Sequence, residues 1–269
     1  MYSNNISVDV IIRARDCNQT LPLVIEALNN QKDVFLNIYI VDNSSTPIPK
    51  SILPQDAVVI PYTLPRFNYA MAINMAIPYL ISDFVLICSS HTLIRNQQAI
   101  QYALEILNSN TDLAAASFSS HHLGDFSFSS TDISNFDGWN GTWNTASLYR
   151  VSLLRERPFN PDVFSAEDQE WSRWVFTDRG LRIAHIKGAG ADNINPRKSS
   201  VTKKINEWVC VAFYSYPKYL TFWFIANRIG KSIKCLLKGE VRQFVFWVII
   251  VLALLRTRFF SPKGNSSYF

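Results

Sequence analysis

The chain has 269 residues, enough for one large domain or one domain with an appendage, and a composition of 48% hydrophobic and 17% charged residues excludes a disordered protein. Its four cysteines, Cys17, Cys88, Cys210 and Cys235, have no CxxC or zinc-like spacing and read as free thiols. The net charge of +5 is unevenly placed: from Arg197 onward thirteen lysines and arginines face only two acids, Glu207 and Glu240, so the last quarter of the chain is a basic module.

Residues 8–13, VDVIIR, form a β-branched apolar run, the pattern of a strand buried on both faces. A helix follows in which Thr20 is placed to cap, Pro22 fits the first turn, and Leu21, Val24, Ile25 and Leu28 recur at helical spacing. Residues 35–45, FLNIYIVDNSS, predict a second buried strand ending at Asp42. Further strands are predicted at AVVI, DFVLIC, LAAASF and LRIAHI, and helices at FNYAMAINMAI, NQQAIQYALEIL and from Glu167 to a C-cap at Gly180. Strands alternating with helices imply an α/β fold with a mostly parallel sheet, whose ligands sit at the carboxyl ends of the strands. Asp42, the turn after Arg13, and Ser89-Ser90-His91 fall at such ends. Residues 119–144 lack periodicity and are rich in Ser, Gly, Asn and Asp, which predicts a long loop, either a lid or a segment folded onto the core. Its Phe126, Phe128, Phe136, Trp139 and Trp143 need packing partners or a role. The composition changes near Asn195, dividing the chain into a domain over 1–196 and a basic, aromatic-rich helical extension over 197–269.

The segments IIRARDCNQTLPLVIEALNNQ, YIVDNSS, RFNYAMAINMAI, FVLICSSH, WNTASLYR and PFNPDVFSAEDQEW, in that order between about Ser7 and Ala191, resemble the inverting glycosyltransferases of family 2, nucleotide-sugar-dependent enzymes of the GT-A fold. The resemblance is nearest to the bacterial rhamnosyltransferase-like branch. It implies that Asp42 accepts the N3–H of uracil or thymine in a UDP- or dTDP-sugar, although a strand-end aspartate before Ser-Ser also caps a turn. Asn74 and Asn144 match family positions near the donor, Asn144 also towards the acceptor.

Loss of a nucleoside diphosphate needs positive charge at the phosphates. Most relatives supply a metal through a DxD motif after the fourth strand, where this chain reads Ser89, Ser90, His91. His91 either ligates a divalent ion or donates to a phosphate oxygen, but without a neighbouring carboxylate a cofactor such as Mn²⁺ or Mg²⁺ would be held poorly. Histidines that relatives carry after the last strand are replaced by Asn193 and Asn195. Arg13, Arg15 and Arg66 are alternative phosphate neutralisers, each equally readable as a surface arginine. By its match to the family's ED motif, Asp168 is the expected general base, and Glu167 orients the site or touches the acceptor. Both belong to the first turn of a helix, whose dipole is expected to keep Asp168 ionised at neutral pH. An acid pair at a helix start needs no catalytic explanation by itself; the surrounding motifs supply it here. Trp171 and Trp174 either line an acceptor pocket or pack in the core.

The longest uncharged run of the extension, Phe244–Leu255, has 12 residues, a helix of about 18 Å against roughly 30 Å of bilayer hydrocarbon. The extension is therefore expected to lie on an anionic membrane surface, or else to pack on the catalytic domain or across a homodimer. Its aromatics sit in apolar runs and do not interleave with arginines on a polar sheet, so nucleic acid is not an expected partner despite a pI near 9.0. The start, MYSNNISVDV, lacks a basic n-region and an apolar h-region, which favours a cytoplasmic protein, peripheral on the inner face of the cell membrane. Two functions compete: transfer of a sugar, plausibly rhamnose, to a glycan or lipid-linked acceptor, and a catalytically weak GT-A domain that scaffolds polysaccharide assembly.

Overall fold

Val8, Val10 and Ile12 turn one way from the first strand and Ile11 the other, and none is accessible to solvent, so this strand is central, with apolar layers on both sides. The computed structural model describes residues 6–195, without the side chains of 119 and 120, together with 200–264 and 266. The boundary expected between 196 and 197 lies outside the described residues. In chain order the elements are β1 (Ile6–Ala14), α1 (Leu21–Asn29), β2 (Val34–Asp42), β3 (Val58–Pro61), α2 (Tyr69–Asn74), β4 (Phe84–Ser89), β5 (Thr92–Ile94), α3 (Ala99–Ser109), β6 (Leu113–Thr131) and β7 (Ala146–Arg150). There follow α4 (Val151–Glu156), α5 (Glu167–Asp178), β8 (Arg182–Ala189), β9 (Ala191–Asn193), α6 (Val201–Cys210), α7 (Phe222–Leu237) and α8 (Val241–Phe259).

The main sheet has the order β3-β2-β1-β4-β7-β6-β8. Strands β3, β2, β1 and β4 are parallel, and β7 enters antiparallel to both β4 and β6, giving the mixed, mostly parallel α/β sheet of a GT-A fold. One face buries α1 and α3, through residues such as Leu21, Leu28, Ile100 and Leu104. The other buries α2, α4 and α5, through Ile73, Leu154, Trp171 and Val175. At the amino end of β1 the inaccessible Asp9 carboxylate accepts hydrogen bonds from the Ile81 and Ser82 N–H groups at 2.6 and 2.8 Å, the Ser82 hydroxyl and Asn37 Nδ2, so a buried charge is satisfied and staples three segments together.

Three local expectations change. Residues 119–131 are not loop but part of β6, whose register runs with β8 over Ala115–Phe118 and reverses over Ser127–Thr131 to meet Lys187 to Ile183. One long strand thus bends back and flanks β8 on both edges, and Phe126 stacks on Tyr102 at 4.5 Å. Thr20 gives no side-chain cap; its hydroxyl donates to the Cys17 carbonyl at 3.4 Å. A small second sheet of β5 and β9, unforeseen in the sequence, holds residue 194 beside His91, the Ile194 N–H donating to the His91 carbonyl at 2.8 Å.

The segment after residue 200 has its own small core of Ala212, Ile225, Ile250, Val251 and Leu254, and it docks against the part of the chain that carries the main sheet. Arg173 donates to the Tyr214 carbonyl at 2.8 Å, Tyr219 Oη to the Asp137 carbonyl at 2.6 Å, and Ser266 Oγ to the Phe164 carbonyl at 2.7 Å. Among the described residues no helix is long and apolar enough to cross a membrane.

Candidate active site

Strand register does the first work of assembly. Ala14 lies opposite Asp42 and Arg13 opposite Ser89, so three neighbouring strands deliver Asp42, Arg13 and Ser89 to one end of the sheet. Arg13 then joins this edge to the start of α5. Its Nη1 donates to Glu167 Oε1 at 3.3 Å and its Nη2 to the Asn144 carbonyl at 2.9 Å, while the ring of Tyr69 lies 5.1 Å beneath the guanidinium carbon. A cleft of about 220 Å³ opens here, lined by Arg13, Tyr69, Trp139, Trp143, Asn144, Glu167, Asp168, Lys203 and Glu207 among others.

The acid pair is held by a dense set of hydrogen bonds. Asn144 gives its Nδ2 to Glu167 Oε1 at 2.9 Å and its backbone N–H to Asp168 Oδ2 at 3.0 Å, and its Oδ1 accepts from the buried Tyr149 hydroxyl at 2.6 Å. The Gln169 N–H completes the cage with a 2.9 Å bond to Asp168 Oδ1. Ala166, which precedes the pair, has φ 57°, a left-handed conformation that L-alanine adopts at a cost of about 1–2 kcal/mol. The loop over residues 141–144 is bolted down in the same way: Gly141 and Thr142 donate to Gln169 Oε1 and Ser172 Oγ, both at 2.9 Å. A Cβ on Gly141 would stand 2.4 Å from Ser172 Oγ, so glycine is required for this close approach. Of the two readings of this loop, a lid or a segment folded onto the core, residues 141–144 follow the second and are fixed to α5.

The electrostatics depart from the helix-dipole expectation. Burial and then the neighbouring Glu167 charge raise the Asp168 carboxyl to about 7, against the opposing pull of the Asn144 and Gln169 N–H groups and Arg13. The dipole is outweighed, and Asp168 is poised between its two protonation states at neutral pH. His91 is driven to about 4 by burial and by the cations Arg13 and Lys203, so its ring is neutral. It shares a 3.1 Å hydrogen bond with Ser89 Oγ. Burial also raises the Glu207 carboxyl and lowers the Lys203 ammonium, the two partly offsetting each other.

Other residues singled out in the sequence fall differently. Asp42 Oδ1 and Oδ2 accept from the Ser44 and Ile48 N–H groups at 2.8 and 3.2 Å, the turn-capping arrangement. Asn74 spends both polar side-chain atoms on the Phe159 backbone, at 2.7 and 3.1 Å, and anchors that loop. Asn144 is only 2% exposed, lines the cleft and positions both carboxylates. Trp171 is 0% exposed, packed edge-on against Tyr149 at 5.1 Å, and forms the floor under α5 with no face for a ligand. Trp174 lies against the Arg157 guanidinium. Arg15 is exposed beside Asp16, and Arg66 is exposed; neither lines the cleft. Conversely Tyr69, Lys203 and Glu207 line it and were not anticipated; Lys203 and Glu207 come from α6, over thirty residues beyond Asp168, in a segment whose sequence signals only amphipathic surface.

The described side chains offer a divalent cation few ligands. Among the described residues no three His, Cys, Asp or Glu side chains gather where an ion could be held, and His91 has a serine partner and two cations in its field.

No curated protein sequence matches the chain. In fold it is similar to the mannosyltransferase PcManGT from Pyrobaculum calidifontis, solved in complex with GDP-Man and Mn²⁺, with TM-score 0.66 and 14% identity over 95% of this chain and 88% of that one. TarS residues 1–349 from S. aureus, solved with UDP-GlcNAc, aligns with TM-score 0.61 and 13% identity over 93% and 81% of the two chains. Glucosyl-3-phosphoglycerate synthase from Mycobacterium tuberculosis, with Mn²⁺, UDP and phosphoglyceric acid, gives 0.57 and 12% over 77% and 76%. The sequence profile described as Glycosyl transferase family 2 matches residues 9–166, from β1 to the residue before the acid pair. With more than half of the chain matched by that profile and the site built at the strand ends of the same domain, the chain belongs to glycosyl transferase family 2 and is a glycosyltransferase.

Proposed function

We propose that the enzyme moves a sugar from a nucleotide diphosphate donor to an acceptor hydroxyl with inversion, Asp168 serving as the base. The observation that carries this is the meeting of Asp168, a carboxylate poised near neutrality, with the fixed guanidinium of Arg13 in one cleft at the strand ends that also hold Asp42 and Ser89. Asp168 takes the acceptor proton while the acceptor oxygen attacks the anomeric carbon. The bond from that carbon to the diphosphate oxygen breaks, and its electron pair leaves with the nucleoside diphosphate. Displacement from the opposite face inverts the centre. Glu167 is committed to Arg13 and Asn144 and holds the guanidinium in place. Arg13 and Lys203 supply fixed positive charge for the leaving group, where its stabilisation matters most. Asp42 keeps lone pairs beyond those its turn uses, which suits an N3–H contact from uracil or thymine. The donor is then a UDP- or dTDP-sugar, with rhamnose favoured by the sequence resemblance.

The acceptor is a polysaccharide or lipid-linked glycan. Exposed Phe222, Trp223, Leu237, Phe259 and Phe260, among Lys234, Lys238, Arg242 and Arg256, support peripheral attachment to an anionic inner leaflet, where such acceptors are presented. The missing acidic metal motif favours one second reading, a nucleotide-binding scaffold with little turnover. Release of nucleoside diphosphate from a panel of UDP-, dTDP- and GDP-sugars, with and without EDTA, tests the assignment. One donor is consumed by the wild type and about 100- to 10,000-fold more slowly by Asp168→Asn. Nucleotide binding with no turnover across acceptors would instead establish the scaffold.

A further inference from the structure

A second groove, of about 430 Å³, runs between the loop bearing Trp139 and the helical extension, lined by Trp139, Lys204, Glu207, Trp208, Tyr219 and Arg228 among others. Trp139 and Glu207 line the catalytic cleft as well, so the two depressions adjoin at these two side chains. We propose that this groove is a saccharide subsite, which holds the acceptor glycan chain while its terminal hydroxyl is presented to Asp168; the inference rests on the function proposed above.

Three features select a saccharide. First, the walls are half-buried aromatic rings in fixed poses: Trp139 meets Trp208 at 5.1 Å and 64°, and Tyr219 meets Trp208 at 5.5 Å. Tyr219 is pinned by its hydroxyl, which donates to the Asp137 carbonyl at 2.6 Å. Rigid rings offer apolar faces to the C–H faces of pyranoses at little entropic cost. Second, ions of both signs border these rings. The Arg228 guanidinium stands 5.4, 4.5 and 5.1 Å from the centroids of Trp208, Phe224 and Trp247, which fixes its donors; Glu207 brings acceptors and Lys204 further donors. A neutral polyol uses donors and acceptors together, and that is the mixture Arg228, Lys204 and Glu207 present. Third, the volume falls in the range of small-ligand sites, and the groove is open to solvent, as entry of a glycan chain requires.

The test is binding of a glycan array of bacterial polysaccharide oligomers, three to six residues long, to the full chain with saturating UDP, followed by titration of the best binder against Trp208→Leu and the exposed Lys204→Ala. UDP affinity and thermal melting are measured on every variant, and phosphatidylglycerol vesicles serve as the comparison surface. The expected result is an oligomer that binds the wild type and weakens about tenfold or more in Trp208→Leu and severalfold in Lys204→Ala. Should Trp208→Leu fail to fold, Lys204→Ala and Tyr219→Phe titrated against the same oligomer decide. Oligomer affinity untouched by these substitutions would overturn the subsite. So would a wild type that binds UDP but no oligomer, or substitutions that weaken vesicle binding alone; the groove would then be a lipid contact, with the donor chemistry unaffected. A wild type that binds neither UDP nor any nucleotide sugar would remove the underlying function as well.

Discussion

Asp168→Asn is expected to abolish transfer and yet make the protein more stable at pH 8. An aspartate ordinarily near 3.8 that titrates at about 7 in the fold is held against its preference for ionisation. The sign follows directly. Because the folded pKa is raised, between about pH 4 and 7 the native state keeps a proton that the unfolded chain releases, so stability falls as pH rises through that window and levels off above it. At 1.36 kcal/mol for each tenfold, the cost approaches roughly 4 kcal/mol at pH 8; water entering the cleft reduces it, and about 2 kcal/mol is expected. Asparagine removes the charge, while its carbonyl can still accept the Asn144 N–H that now meets Oδ2. Thermal melts at pH 4.5 and pH 8 read the effect: a variant melting about 4–8 °C above wild type at pH 8, with the difference largely gone at pH 4.5. A variant that melts no higher at pH 8, or a gap independent of pH, would refute the claim that burial and Glu167 destabilise the ionised carboxylate.

Glu167→Gln removes the negative neighbour that helps raise Asp168, so the acid limb of the rate profile should move to lower pH, even as loosening Arg13 lowers the maximum rate; an acid limb that stays in place would separate the two carboxylates electrostatically. Turnover should survive EDTA, and Lys203→Ala should cost about 100-fold in kcat, the loss typical of one fixed charge-stabilising donor; metal-restored activity after chelation would contradict this. Gly141→Ala forces a methyl against Ser172 and Gln169 and should cost about 1–3 kcal/mol in denaturant melts, together with activity, because the same loop carries the Asn144 N–H to Asp168.

The alternating apolar strands and amphipathic helices were legible because central strands buried on both faces leave a run rich in β-branched residues, as at Val8–Ile12 where only Asp9 interrupts it, and because Asp42, Ser89 and Glu167 punctuate their ends. Residues 119–131 were not, since their serines and glycine suggest a loop and their strand character comes from long-range pairing to β8; the Phe126-Ser127-Phe128-Ser129 alternation was the signal available. Trp171 shows a further limit. Helical spacing says that it shares a helix with Asp168 but not which face meets the sheet, and that face proves to be the core. The same holds for Asn144, whose polar character fits either a ligand or, as found, the backbone and carboxylates that it orders. Lys203 and Glu207 lay beyond any local pattern, because the docking of α6 over the cleft is a tertiary event.

The most direct test is single-turnover transfer with whichever donor the panel identifies, comparing wild type with Asp168→Asn across pH 5 to 9 and assigning the anomeric configuration of the product by NMR. The account predicts a wild-type rate that rises through about pH 7 to a plateau, an inverted product, and a variant at least 100-fold slower with no such rise. A retained anomeric configuration, or a variant that transfers at the wild-type rate, would contradict it.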